Sequence, residues 1–255
     1  MKLFNILFKE GKKTWYGAQN VYNPEWDKYD PEKDEPIEPR IAKDVPASFD
    51  INEFKKINKQ EQRLKYLQET SMYIGAGSSR IVFGISPKKV IKLAGGSGIE
   101  QPLYSKEVKI KDIGRGINQN KVENDVWKQS SETMRMILPK VYEIGPTELQ
   151  PLWLMSELVR PLGSDNELRS MLGVDQMGYA DFMNGISDID SDDFKAFYGR
   201  VDEKHKPIID ALVEMIKKFD LYSKDLTSIE QWGKSSDGRL VLLDSGITIK
   251  DFAEY

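Results

Sequence analysis

The stretch that decides the fold runs from Tyr73 to Leu93 and reads YIGAGSSRIVFGISPKKVIKL. Gly75 and Gly77 stand one residue apart, before a run in which Ile81, Phe83 and Ile85 alternate with other residues. Such alternation is typical of a half-buried strand, SPKK predicts a turn, and VIKLA predicts the returning strand. The stretch therefore predicts strands joined by a glycine-lined turn.

The returning strand carries a lysine, Lys92, whose neighbours Ile91 and Leu93 point to the opposite face. Because lysine is seldom buried without a partner, Lys92 predicts a nearby anion, and Glu123 in the next helix is an available carboxylate. The alternative is an ordinary exposed lysine. Taken alone, the two glycines favour a plain hairpin over a phosphate-binding loop.

Composition excludes several classes of function. The chain has 255 residues and a formal net charge of −4, which argues against a general nucleic-acid-binding protein. It has no cysteine, which excludes disulfides and thiolate metal sites and suits a reducing cytoplasm. Its one histidine, His205, lies in a charged segment and is predicted to be a solvated surface residue. No apolar run is long enough for a transmembrane segment, and the N-terminus predicts either a short amphipathic anchor or a segment docked on the protein.

The remaining pattern predicts an α+β fold. Residues 17–50 are loop-like, 51–70 predict a helix, and a glycine-rich loop ending in DIGRG precedes a short helix in NQNKVENDVWKQ. MILPKVYEIG and PLWLMSELV predict strands, and a helical stretch begins near Asn166. Ser191 is predicted to cap a helix and Pro207 to begin the clearest one. KSSDG predicts a turn before the strand RLVLLD.

Two aspartates follow these elements. Asp225 comes after the strongest helix, and Asp244 closes a hydrophobic strand before Ser-Gly. An aspartate at the end of such a strand is well placed to hold a metal ion, although taken alone it more often serves as a turn residue that caps the strand. A nucleoside triphosphate needs close approach of backbone to its phosphates, a cation for their oxygens and acids for its magnesium. The glycines, Lys92 and the two aspartates are candidates for these three needs.

From about Met72 to Gly246 the chain resembles the protein-kinase-like fold family, including small kinase-like proteins encoded by bacteriophages. IGAGSSRIVF resembles the glycine-rich loop, VIKL the strand of the phosphate-binding lysine, and NQNKVEN the helix of its glutamate partner. LMSELV resembles the hinge, and KDLTSIEQWG with GRLVLLDSG resembles the catalytic loop and metal-binding segment.

The resemblance implies a two-lobed architecture with a β-rich small lobe and a reduced helical large lobe. It places an N-terminal extension at 1–70, the small lobe at 71–160 and the reduced large lobe at 161–255. Only eleven residues follow Asp244, so the later parts of a typical large lobe are expected to be missing. The N-terminal extension could pack in their place.

The resemblance also implies the phosphate-binding residues. Gly75, Gly77 and the amides of Ser78 and Ser79 would cover the phosphates of ATP. Lys92 would contact the α- and β-phosphates. The third glycine of the family's loop is replaced here, with Arg80 near its position.

The other implied roles fall on four residues of the small lobe and hinge. Glu123 would pair with Lys92 and orient it. Val82 would pack over the base, and Glu157 and Val159 would offer hinge backbone groups to the adenine.

The catalytic segment shows both the family's pattern and departures from it. Asp225 would orient the acceptor hydroxyl, and Asp244 would hold Mg²⁺. The family's magnesium-binding asparagine corresponds to Glu230 counted from Asp225, or to Gln231 counted back from Asp244. Gln231 can still offer a carbonyl oxygen, on a longer arm. Ser223 and Lys224 replace the family's histidine and arginine.

Three functions are compatible with the sequence. The first is a minimal ATP- and Mg²⁺-dependent phosphotransferase acting on a hydroxyl of a protein or a small molecule. The second is a pseudokinase, a nucleotide-binding or structural module of a phage that acts through a protein partner, in the host cytoplasm or the virion. The third is an unrelated α+β protein with chance motifs.

Overall fold

The computed structural model describes residues 48–77, 79–97, 110–111, 113–220, 226 and 228–243. Most of the predicted N-terminal loop lies outside these ranges, as do the predicted site residues Ser78, Asp225 and Asp244. Within the described ranges, no helix has the length and apolar character needed to cross a membrane.

Eight α-helices and ten strands form in the described ranges. The helices are α1 (Ile51–Lys56), α2 (Gln60–Thr70), α3 (Ile113–Gln129), α4 (Glu132–Arg135), α5 (Asp165–Leu172), α6 (Gln176–Gly185), α7 (Asp192–Arg200) and α8 (Lys206–Phe219). The strands are β1 (Met72–Ala76), β2 (Arg80–Ser86), β3 (Lys89–Ala94), β4 (Gly96–Ser97), β5 (Ile110–Lys111), β6 (Val141–Pro146), β7 (Pro151–Glu157), β8 (Arg160–Pro161), β9 (Trp232–Lys234) and β10 (Leu240–Leu242).

The largest sheet is antiparallel, with five strands in the order β1-β2-β3-β7-β6. Two smaller sheets have the orders β10-β9-β8 and β4-β5. Helices beside an antiparallel sheet agree with the predicted mixture of α and β structure. The two-lobed kinase-like architecture stays a prediction, as do its domain limits at 70/71 and 160/161.

The chain divides into two compact units. The first contains the chain up to Asn120 together with Glu143–Ser156, and the second contains Lys121–Tyr142 and the chain from Glu157 onward. In the first unit, one face of the five-stranded sheet packs against α1 and α2. The buried members of this core are Phe54, Leu64, Leu67, Ile81, Phe83, Ile91, Leu93, Trp153 and Met155.

The core of the first unit is centred on Phe54, which is fully buried on α1. Its ring meets the Trp153 ring edge-on, with 5.5 Å between the centroids. Asp50 begins α1 by accepting a hydrogen bond from the Asn52 amide at 2.7 Å. Truncating such a buried ring costs about 3–5 kcal/mol, so α1 is integral to this unit.

The second unit has a helical core around α8. The predicted pattern after Pro207 is confirmed, because Ile209, Leu212 and Met215 are buried on one face and the proline lies in the first turn. The predicted cap at Ser191 is also confirmed, since its hydroxyl accepts from the Phe194 amide. The turn after β9 and the strand β10 form the predicted late hairpin.

Several details differ from the sequence prediction. The single helix expected at 51–70 is two helices, interrupted where Ile57 and Lys59 adopt extended backbone. The interruption precedes Gln60, whose amide donates to the carbonyls of Ala94 at 2.7 Å and Leu152 at 3.1 Å. These bonds fix the start of α2 on strands β3 and β7.

Two further segments were predicted wrongly. The glycine-rich segment ending in DIGRG contributes to α3, which begins at Ile113. The strand predicted to begin at Met136 begins only at Val141, since Met136 instead ends the short helix α4. Both errors arise because the prediction used local composition alone. The backbone conformation of these segments is set by tertiary packing, which overrides local preference.

The prediction for His205 was also wrong, because its side chain is only 20% exposed. It lies against Gly173, where φ is +69° and an added Cβ would come within 1.9 Å of the His205 Nδ1. A groove of about 580 Å³ adjoins this ring and is lined by Arg200, Lys204 and Asp175 among others. None of the predicted site residues that the structure describes lines this groove.

Candidate functional site

The first candidate element is the tip of the β1–β2 hairpin. A Cβ added at Gly75 would meet no heavy atom within 4 Å, and one at Gly77 would meet only the Arg80 carbonyl at 4.0 Å. Among the described residues, glycines with positive φ are Gly95, Gly173 and Gly238. Neither crowding nor a left-handed backbone therefore requires glycine at 75 or 77.

Lys92 lies in line with one of these glycines across the sheet. Gly75 is paired with Val82 on β2, and Val82 is paired with Lys92 on β3. Directly opposed residues of antiparallel strands project from the same face, so Val82 and Lys92 share a face. This face is opposite the one that Ile91 and Leu93 bury beneath α1 and α2.

The Lys92 side chain is buried, with the residue only 8% exposed. This excludes the alternative of an ordinary exposed lysine on a half-buried strand. A buried ammonium requires compensation by negative charge or hydrogen bonds, so this face of the sheet is chemically suited to an anion. Ser156 on β7, the neighbouring strand, contributes a second buried polar group to the first unit, and its hydroxyl has no hydrogen-bond partner among the described residues.

The end of the hairpin is attached to α3. The Ser79 hydroxyl donates to Gln119 Oε1, and both side chains are buried. Asn120 donates to the Pro151 carbonyl at 2.9 Å and receives a long hydrogen bond of 3.5 Å from Arg80. The hairpin tip and this helix are therefore held together by buried polar contacts.

Gly116 explains how α3 approaches the hairpin so closely. A Cβ there would lie 2.3 Å from the Ser79 carbonyl oxygen and 2.7 Å from the Ala94 Cα. Both atoms belong to the backbone and cannot be displaced by a side-chain rotation. In contrast to Gly75, Gly116 is a glycine that the packing of the protein itself requires.

The predicted Glu123 lies further along α3 and is only 2% exposed. Gln119, Asn120, Glu123 and Asn124 recur at helical spacing and are all buried, so the helix buries a polar face. Lys92 belongs to the first unit and Glu123 to the second. Their pairing stays a prediction.

The predicted hinge residue Glu157 ends β7 and has an extensive set of partners. Its amide donates to the Lys140 carbonyl at 2.8 Å, and its carboxylate accepts from the Lys140 amide at 3.2 Å. Arg239 Nη2 donates to both carboxylate oxygens at 3.1 Å. Val159, the second predicted hinge residue, is buried against Gly233.

Arg239 is held by more than one acid. Its Nε donates to both oxygens of Asp237, at 2.8 and 3.0 Å. Burial opposes the charge of the guanidinium, but Asp237 and Glu157 outweigh this and raise the pKa of Arg239. The hydroxyl of Ser235, together with Arg239, lowers the pKa of Asp237.

The predicted acids Asp225 and Asp244 lie outside the described residues, but a residue next to each is described. Leu226 is buried, and its carbonyl accepts from Trp232 Nε1 at 2.9 Å. Leu243 donates its amide to the Gln231 carbonyl at 2.7 Å. Leu226, next to Asp225, is thus attached to β9, and Leu243, next to Asp244, is attached to the turn that precedes β9.

Of the two predicted magnesium ligands, the structure describes only Gln231. Gln231, the predicted amide ligand, is half-buried in the second unit, and Leu243 leads directly into Asp244. An amide oxygen and a carboxylate are oxygen donors of the kind that Mg²⁺ prefers. Within the described residues, no group of three or more His, Asp and Glu side chains could hold a metal.

Sequence reasoning missed Gln119, Asn120 and Arg239. The first two could have been predicted from the sequence. In QNKVEN, glutamine and asparagine recur on one face of the helix, whereas an exposed helix face normally carries charged residues. Arg239 could not have been predicted, since an arginine before a strand is ordinary. Its role depends on contacts with Glu157, 82 residues away in sequence.

Comparisons with known proteins give little beyond the structure itself. No protein-family model matches the chain. No curated protein matches it either. One of three matching solved chains belongs to the co-crystal structure of WbdD and the kinase inhibitor LY294002, with 13% identity and a TM-score of 0.32 over 69% of this chain. The match spans 32% of the WbdD chain. At this TM-score the likeness assigns neither a fold nor an activity.

Proposed function

We propose that this chain binds a magnesium nucleoside triphosphate and transfers its terminal phosphoryl group to a hydroxyl, in the manner of protein-kinase-like proteins. The observation that carries the proposal is the row formed by Gly75, Val82 and the buried Lys92. It combines a cation on one sheet face with glycines that the fold itself does not need.

The row supports phosphate binding for two physical reasons. A glycine without an internal steric role is explained when a ligand approaches the backbone closely. An ammonium removed from water is stabilised by the oxygens of a phosphate, and the lysine's compact charge suits that contact. ATP is the substrate in this proposal, and its phosphates lie at Lys92 beneath the Gly75–Gly77 segment.

The transfer is a single displacement. The acceptor oxygen forms a bond to the γ-phosphorus while the bond from that phosphorus to the β,γ-bridging oxygen breaks, which releases ADP. Asp225 orients the acceptor hydroxyl and accepts its proton. Asp244 and Gln231 would hold Mg²⁺, which would supply positive charge to the phosphate oxygens. Such chemistry depends mainly on positioning and neutralisation of charge.

A second candidate is a protein with the same nucleotide site but no phosphoryl transfer. It is favoured by Gln231, whose longer side chain replaces the asparagine of the resembled family. The two candidates differ in whether radioactive phosphate from γ-³²P-ATP becomes attached to an acceptor. The acceptor can be a protein or a small molecule. Label that disappears in Asp244→Ala supports transfer.

The binding site itself is tested by thermal unfolding with and without Mg-ATP. At about 100 times the dissociation constant, a ligand stabilises the folded state by about 2.7 kcal/mol. For a domain of this size, that corresponds to an increase in Tm of roughly 5–10 °C. The wild-type protein should show this increase, and Lys92→Met should lose it.

Lys89→Met is the matched control, because Lys89 lies on the same strand as Lys92 but projects from the opposite face. It should retain the shift of the wild-type protein. The proposal is wrong if Mg-ATP fails to stabilise the wild-type protein, or if it stabilises the Lys92→Met variant equally.

A further inference from the structure

The guanidinium of Arg239 joins three segments of the second unit. Nη2 binds the Glu157 carboxylate at the end of β7, and Nε binds Asp237 in the β9–β10 turn. Nη1 donates to the Met136 carbonyl at 3.3 Å and to the Arg135 carbonyl at 3.5 Å. One side chain therefore fixes the end of β7 relative to the segment after α4 and the late hairpin.

This contact differs from an ordinary surface ion pair. The Glu157 side chain is only 12% exposed, and Nη2 of Arg239 contacts both of its carboxylate oxygens. Exposed pairs contribute little because water screens them, whereas a largely buried carboxylate that loses its partner is strongly disfavoured. The position of Glu157 thus depends on Arg239.

The backbone of Glu157 is restrained as well. Its amide is already used by the Lys140 carbonyl, and its side chain accepts from the Lys140 amide. The group by which Glu157 can contact a base is therefore its carbonyl. A carbonyl accepts from the exocyclic amine of adenine, whereas guanine presents an oxygen at that place and is rejected.

We propose that Arg239 is a positioning residue for adenine recognition, holding Glu157 so that its backbone carbonyl meets the base. The inference rests on the proposed nucleotide-binding function. It assigns Arg239 no contact with the nucleotide, because the residue acts through Glu157. Its consequence is selective: the base should be recognised less well without Arg239, while the phosphates are still bound.

The test measures the affinities of purified protein for Mg-ATP, Mg-GTP and Mg-tripolyphosphate by isothermal titration. Arg239→Gln should weaken ATP binding about tenfold, equivalent to a difference of about 1.4 kcal/mol, and reduce the ATP preference over GTP. Its affinity for tripolyphosphate, which has no base, should not change. Arg239→Lys retains the charge without the fork and should show a smaller loss.

The matched control is Arg200→Gln, because Arg200 pairs with Asp181 on α6 and not with Glu157. It should bind all three probes like the wild-type protein. A double-mutant cycle with Glu157→Gln tests the route of the effect. The two substitutions should be strongly non-additive in ATP affinity if Arg239 acts through Glu157.

The outcomes distinguish this inference from the function on which it rests. Failure of the wild-type protein to bind either ATP or tripolyphosphate contradicts the proposed function. Unchanged ATP affinity in Arg239→Gln, or equal losses for ATP and tripolyphosphate, overturns the role of Arg239 alone. If Arg239→Gln does not fold, the same comparison in Arg239→Lys decides the question.

Discussion

The Ser79 hydroxyl, at the end of the β1–β2 hairpin, donates a hydrogen bond to Gln119 on α3 in the interior of the first unit. Backbone contacts support it, since the Ser79 carbonyl accepts from the Gly95 amide at 2.8 Å. The proposed phosphate-binding hairpin is thereby attached to a helix. A loop anchored in this way covers a ligand with less loss of conformational entropy than a free loop.

Gln119→Ala should destabilise the protein by about 1–3 kcal/mol, because the buried Ser79 hydroxyl loses its acceptor. Denaturant unfolding measures the change. Gln129→Ala is the control, since Gln129 is an exposed residue of the same helix. Equal stabilities of the two variants would contradict the importance of the Ser79–Gln119 contact.

Two glycines of α3 should respond in opposite ways to alanine. Gly116→Ala places a Cβ 2.3 Å from the Ser79 carbonyl oxygen, so the helix must move and the protein should lose about 1–3 kcal/mol or more. Gly114→Ala meets no atom within 4 Å and should stabilise the helix by up to about 1 kcal/mol. Thermal unfolding of both variants checks the prediction, which fails if Gly116→Ala is as stable as Gly114→Ala.

Gly75→Ala provides a different contrast, between stability and binding. The added methyl group meets no protein atom, and alanine loses less backbone entropy than glycine, so the Tm should stay the same or rise slightly. If phosphates approach this backbone, the methyl group should nevertheless weaken Mg-ATP binding at least about tenfold. Titration with Mg-ATP measures the loss, and full affinity in Gly75→Ala would indicate that the glycine serves only the hairpin.

The stability of the protein should fall above pH 10 because of Tyr73. Burial raises the pKa of this tyrosine to about 12. The unfolded chain releases the phenolic proton near pH 10 while the folded protein retains it. The contribution is therefore fully present below pH 10 and is lost as the pH rises towards 12.

Tyr73→Phe isolates this effect. The ring contact with Phe83, 5.8 Å between centroids, is available to phenylalanine as well. Between pH 10 and 11.5 the wild-type protein should therefore lose about 1–2 kcal/mol more stability than the variant, measured by urea unfolding. Parallel pH profiles for the two proteins would be inconsistent with a raised pKa of Tyr73.

Local patterns predicted the elements whose signals are local. Alternation identified β2, the turn at SPKK identified β3 as the returning strand, and helical spacing after Pro207 identified the buried face of α8. The Ser191 cap was predictable because its features are local. A serine hydroxyl accepts a hydrogen bond from a first-turn amide, and the two aspartates that follow it interact favourably with the positive end of the helix dipole. Each of these features depends on neighbours within one or two turns.

The features that the sequence did not reveal depend on distant residues. Gly116 indicated a loop, yet it lies in α3, and it is glycine because the backbone at Ser79 and Ala94 leaves no room for a side chain. The sequence identified Lys92 as unusual, but its burial follows from the assembled sheet. Likewise, Glu157 was predicted for its backbone, and only the fold shows that Arg239 holds its side chain.

The last prediction concerns Asp225, the proposed acceptor-orienting residue. Asp225→Asn keeps the size of the side chain but removes the carboxylate that accepts a proton. It should therefore retain the thermal stabilisation by Mg-ATP and lose phosphoryl transfer by a factor of about 10²–10⁴. Both quantities are measured on the same preparation, by thermal unfolding and by transfer from γ-³²P-ATP.

Asp220→Asn is the control for this change. Asp220 is exposed at the C-terminal end of α8 with a φ of 52°, a conformation that asparagine also tolerates, so both stabilisation and transfer should be unaffected. Transfer that persists in Asp225→Asn removes Asp225 from its proposed role. Stabilisation by Mg-ATP without transfer in the wild-type protein would instead favour the nucleotide-binding module, because binding at Lys92 requires no acceptor-orienting carboxylate.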